Sequence, residues 1–251
     1  MKIIAAAALA IIAPTALAAQ TEPTAIQTAP QEAGPYARLA DALLSPQVRE
    51  AGFEVTVRDL RTVMLRDPDI ALTEKDCSGA VDSMVMAVRP FLAEYEAVES
   101  ATIRREMIAL FRETLNDEEA DQLATFYQSE NGQKLIAAIN ANLNFEQTIT
   151  GSAEGDAEAP VVVKKSDLES DNRRAIAGML KSLSPEELQE IGTQIVKVPA
   201  FARMQELNPK IQALRLDIAN RNLIPGFDAR MEKAIQEALL TKLDSCGLYA
   251  D

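Results

Sequence analysis

The side chains in this chain that could do chemistry are few. Two cysteines, Cys77 and Cys246, stand far apart; carboxylates come as adjacent pairs, Glu118-Glu119 and Glu186-Glu187, and as one alternating run, Asp167, Glu169 and Asp171. Histidine is absent from the whole sequence. That removes Ser-His-Asp and Cys-His nucleophilic sites, imidazole acid–base work and most zinc sites. No Ser-x-x-Lys, Gly-x-Ser-x-Gly or Gly-Lys phosphate loop occurs, and the absence of tryptophan argues against sugar stacking. Adjacent carboxylates on a helix do not face one another, and helix N-termini attract acidic residues, so the glutamate pairs read as helix starts. The alternating run has the first spacings of a calcium loop, but Asn172 replaces the required glycine and Gly178 stands where the closing glutamate belongs. It too reads as a solvated helix start. The expectation is a protein without catalytic residues, metal or cofactor.

The cysteines lack the Cys-x-x-Cys spacing of a redox pair, and two lone cysteines in an oxidising compartment pair with each other. A Cys77–Cys246 bridge would contribute up to about 5 kcal/mol in the chain-entropy model. The compartment is legible at the start of the chain. Met1-Lys2 is followed by an almost wholly apolar run from Ile3 to Leu17, and Ala16-Leu17-Ala18 is a small-x-small site. This is the layout of a signal peptide over residues 1–18, cleaved after Ala18; an uncleaved anchor is the rival reading. Cleavage leaves 251 − 18 = 233 residues with 24 basic and 38 acidic side chains. Such an acidic product is repelled by nucleic acid and anionic lipid. No later segment is long and apolar enough to make it an integral membrane protein. Its expected location is periplasmic or secreted.

Residues 19–35, rich in Thr, Pro, Gln and Ala, read as a disordered leader, and residues 151–165 as a linker between a first half (36–150) and a second (166–251). Elsewhere the apolar period is helical. The expected helices are 36–44, 46–64, 73–92, 93–114, 167–182, 185–198, 200–222 and 228–244, with Pro90 kinking or dividing the third from the fourth and Pro209 kinking the seventh. The fold class is all-α.

The two glutamate pairs belong to a wider echo. Leu115-Asn116 with Glu119, and Leu183-Ser184 with Glu187, are both capping-box starts, 183 − 115 = 68 residues apart. At that offset residues 105–144 and 173–212 share eight identities, among them Arg105/Arg173, Ile108/Ile176 and Asn140/Asn208. Residues of about 100–145 and 170–215 therefore read as two related helical repeats. Each repeat leaves an apolar stripe that the other can cover in one helical bundle.

The first copy, with Leu115, Glu118-Glu119, Phe126-Tyr127, Ser129, Gly132 and Lys134, resembles the family called domain of unknown function 2059 (DUF2059), mostly exported bacterial proteins. The departure is Glu130, where the family pattern has proline. The second copy lacks the aromatic pair and the glycine. The resemblance implies an all-helical fold and an envelope location but no activity. Phe126 and Tyr127 read as packing residues and Gly132 as permitting a tight turn. Ser129 and Lys134 cap helix ends or touch a partner, which makes the Ser129–Gly132–Lys134 turn a candidate contact. Three functions follow in order of preference: a non-enzymatic module binding an envelope protein or peptide; a carrier of a small apolar ligand or lipid between helices, with Met84, Met86, Phe91 and Phe111 as candidate lining; and a hydrolase working with carboxylates alone.

Overall fold

A computed structural model describes residues 34–153 and 162–248. The signal peptide with its cleavage site at Ala18, nearly all of the leader and most of the linker lie outside the described residues. Among those described, every regular element is helical. In chain order they are α1 (Pro35–Leu43), α2 (Pro46–Met64), α3 (Pro68–Asp76), α4 (Ala80–Thr114), α5 (Asp117–Gln128), α6 (Glu130–Asn140), α7 (Glu146–Ala153), α8 (Lys165–Ser182), α9 (Pro185–Lys197), a 3-10 turn (Pro199–Arg203), α10 (Met204–Ala219) and α11 (Phe227–Ser245).

The spine is α4, whose 35 residues extend about 52 Å at a rise of ~1.5 Å per residue. Pro90 does not divide it. Pro90 and Met86, whose carbonyl loses its helical partner, both lie on the exposed face, where water replaces the missing bond. Pro209 likewise sits inside a continuous α10. The expected helix over 73–92 instead begins at Ala80, after the separate short α3, and α7 extends helix into the expected linker.

Two apolar cores share the spine. The C-terminal half of α4 (Ile103, Met107, Ile108, Phe111) packs with α1, α5 and residues Ile191, Leu207 and Ile218. The N-terminal half (Val81, Met84, Val88, Leu92) packs with Phe53 and Leu60 of α2 and Phe227, Met231 and Ile235 of α11. The two halves of the sequence thus interleave, and the Cys77–Cys246 disulfide (Cα–Cα 5.7 Å) joins the end of α11 to the turn just before α4.

Both capping boxes form. Asn116 accepts from the Glu119 amide while Glu119 accepts from the Asn116 amide, and Ser184 and Glu187 repeat the exchange. Shifted by 68 residues, the end of α4 at Thr114 falls on the end of α8 at Ser182, and the start of α5 falls on the start of α9. The third helices diverge, because Pro199 opens the second with a 3-10 turn. Packing across the two sets is reciprocal: α6 packs on α8, and α10 packs on α4.

Candidate functional site

Most side chains singled out in the sequence are used up within the fold. Ser129 ends α5 and caps α6: its hydroxyl donates to the Phe126 carbonyl (2.7 Å) and accepts from the Gly132 amide (3.2 Å). A Cβ on Gly132 would lie 2.0 Å from the Phe126 carbonyl oxygen, so the glycine is required by a close approach of backbone and not by its φ. Lys134 pairs with Glu130 (2.9 Å), one helical turn before it. The three candidate contact residues are brought together, each with a partner inside its own helical elbow. Phe126 packs edge-to-face on Phe201 at 4.8 Å, and Phe201 also tilts against Tyr127.

The acidic pairs and the alternating run have structural duties. Glu119 and Glu187 complete their capping boxes. Glu118 accepts from Gln122, and Glu169 pairs with Lys165. Asp171, almost fully buried, accepts from both the amide (2.9 Å) and the hydroxyl (2.7 Å) of Thr148. On the other side Asp59 accepts from the Phe145 amide at 2.7 Å. Burial pushes both carboxyls above the usual aspartate range, opposed by these hydrogen bonds. Together they seat the N-terminus of α7 between α2 and α8, with the Phe145 side chain turned toward the interior.

Beside it lies the main candidate site: a half-open cavity of about 360 Å³ between the two helical sets, within the ~300–1,000 Å³ typical of small-molecule sites. Its wall is built from matched positions. Met107 and Ala175, Ile136 and Met204, Asn140 and Asn208, and Leu143 and Ile211 all line it, each pair separated by the same 68 residues. Leu43, Leu44 and Val48 close the side formed by α1 and α2, and Tyr127 and Phe145 supply the aromatic surface. Burial lifts the Tyr127 phenol to about 12, so the ring stays neutral at any ordinary pH. Half-exposed Ile176 stands at the rim.

The polar part of the wall is small. Asn172 donates to Gln212 at 3.0 Å, which occupies both groups with each other. Arg215 of α10 is the one charged lining residue among those described. Its Nε is buried without a hydrogen-bond partner among the described residues, and burial pulls the guanidinium down to about 10 against the opposing pull of Glu99. It therefore keeps its charge at neutral pH. Glu99, 2% exposed, sits on α4 beside it. Burial drives that carboxyl well above its usual range; Arg215 draws it down and Glu96 pushes it further up.

The lining proposed from sequence is corrected. Met84 and Phe91 belong to the core around the first half of α4, Phe111 to the core around its second half, and Met86 is 63% exposed. Apolar type could not assign them, because each fits any buried helix face equally well. The true lining did leave one sign in the sequence: Asn140 and Asn208, identical at the 68-residue offset and each one helical turn after an apolar residue, Ile136 and Met204. Arg215 left none, since a lone arginine in a helix reads as a solvent-facing residue.

No curated protein and no solved structure matches the chain. Residues 101–150, which carry the end of α4, all of α5 and α6 and the start of α7, match the family model DUF2059, described as an uncharacterized protein conserved in bacteria.

Proposed function

We propose that this protein is an exported, non-enzymatic carrier that holds an apolar or lipid-like ligand in the cavity between two helical units descended from one duplicated unit. The observation that carries the reading is the cavity wall, in which four position pairs related by 68 residues face one space of about 360 Å³. Duplication explains that matching, because a unit that leaves its stripe uncovered meets the same stripe of its copy. An apolar guest laid along these aliphatic walls gains dispersion contacts and takes apolar surface out of water. The turn at Ser129, Gly132 and Lys134 supports the alternative of an envelope protein or peptide partner less well, since its groups are satisfied within the chain.

Export rests on the signal-like residues 1–18 and accords with the Cys77–Cys246 disulfide, which suits an oxidising compartment. N-terminal sequencing of the protein from its native host is expected to begin at Ala19. The function is tested by native mass spectrometry of the gently purified protein followed by solvent extraction. A stoichiometric, extractable apolar molecule is the expected result. A bare protein that also gains no thermal stability from any aliphatic probe removes the carrier reading.

A further inference from the structure

The cavity would be simpler as a binding site if it were wholly apolar, and it is not. Arg215 brings a fixed positive charge to its wall, in a chain whose overall charge is −13. No described carboxylate lines the cavity to answer it. Glu99, the acidic group that acts on Arg215 most directly, lies outside the lining, on the α4 side, with its carboxyl raised by burial and drawn down by Arg215. A partly buried guanidinium whose Nε is buried and unpartnered gains from an anion supplied at the cavity wall. The rest of the wall describes the remainder of such a guest. Ile136, Ile139, Leu143, Met204 and Ile211 are flexible or branched aliphatic side chains, suited to a linear hydrocarbon. The volume is at the small end for a ligand site, room for one chain and not for a two-chain lipid.

We propose that the cavity binds a single-chain aliphatic carboxylate, its chain among Ile136, Leu143, Met204 and Ile211 and its carboxylate paired with the guanidinium of Arg215. This rests on the carrier reading above and adds the chemical class of the ligand. The planar guanidinium meets a carboxylate through two parallel hydrogen bonds, which makes Arg215 the specificity residue. A neutral chain of equal length gains the same apolar burial and leaves Arg215 unsatisfied.

Calorimetric titration of the delipidated protein with dodecanoate and with dodecanol separates these contributions. Dodecanoate is expected to bind about tenfold or more tightly than dodecanol, and Arg215→Met to bring the two to similar, weak affinity. The comparison of the two probes on the unmodified protein needs no variant, so it stands even if Arg215→Met folds poorly; Arg215→Lys, which keeps the charge and loses the fork, is expected to fall between. Equal binding of acid and alcohol, or a preference for the acid that survives Arg215→Met, overturns the carboxylate proposal and leaves the carrier reading in place. If neither probe binds, the carboxylate proposal falls; if solvent extraction of the native protein then also yields nothing apolar, the carrier reading falls with it.

Discussion

Asn140 on α6 and Asn208 on α10 line the same cavity, and they occupy the same place in two stretches of sequence 68 residues apart. Neither is a good core residue, and each stands one helical turn after an apolar lining residue, Ile136 and Met204. Their meeting ties a spacing read along the chain to a single space: residues 68 positions apart line it from two different helices.

Filling that space is the direct test of its use. Ala175 of α8 is buried against the cavity. Ala175→Leu is expected to abolish binding of aliphatic probes while leaving thermal stability unchanged or up by about 0.5–2 kcal/mol, the usual gain from filling a void. Loss of binding with a large fall in melting temperature would show instead that the wall has no room to receive the side chain.

Two helix glycines predict opposite effects of the same substitution. Gly132→Ala places a methyl group against backbone at 2.0 Å, where no rotamer change relieves it, and is expected to destabilise by about 1–3 kcal/mol or more. Gly192 lies inside α9, and a Cβ added there would meet nothing within 4 Å, so Gly192→Ala is expected to stabilise by about 0.5–1 kcal/mol. Urea unfolding of both variants measures the contrast.

The disulfide closes a loop between residues 169 positions apart. Replacing both cysteines with alanine is expected to lower stability by up to about 5 kcal/mol, through the freedom returned to the unfolded chain. Thiol titration of the purified, denatured protein should find no free thiol before reduction and two after it. Two thiols before reduction would remove the bridge.

Glu99 gives a dependence on pH with a definite sign. Its folded-state carboxyl titrates above the unfolded value because it is buried, facing Arg215, Glu96 and Tyr95. The folded state therefore holds a proton that the unfolded chain has lost, and the associated stability is present at acid pH and lost as pH rises through that window. Glu99→Gln removes the ionisation. It is expected to stabilise the protein by roughly 1–3 kcal/mol at neutral pH and to make little difference near pH 4. A variant less stable than the parent at pH 7 would mean that the attraction between Glu99 and Arg215 outweighs the cost of burying the charge.

Much of the framework was legible from one dimension. Helix starts at Asn116 and Ser184 are local events, decided by a side-chain oxygen and a glutamate three residues on, and both form where the spacing puts them. The Cys77–Cys246 pairing followed from a count of two cysteines and the expectation of an oxidising compartment. The all-helical class follows from period and composition, which tertiary contacts had no cause to override. What the chain could not show was anything set by the surroundings of a residue. Pro90 passes through α4 because its face of the helix meets water. α7 is seated by Asp59 and Asp171, carboxylates 86 and 23 residues away from the groups they bond. Met84 and Phe111 lie in the cores alone while Met107 and Ile136 also line a cavity, although all four are apolar residues on helical stripes. Local sequence specifies where a helix begins and which side is apolar. Whether that side meets another helix or an open space depends on how the distant helices stack, and so only the tertiary structure turned the charge of Arg215 inward.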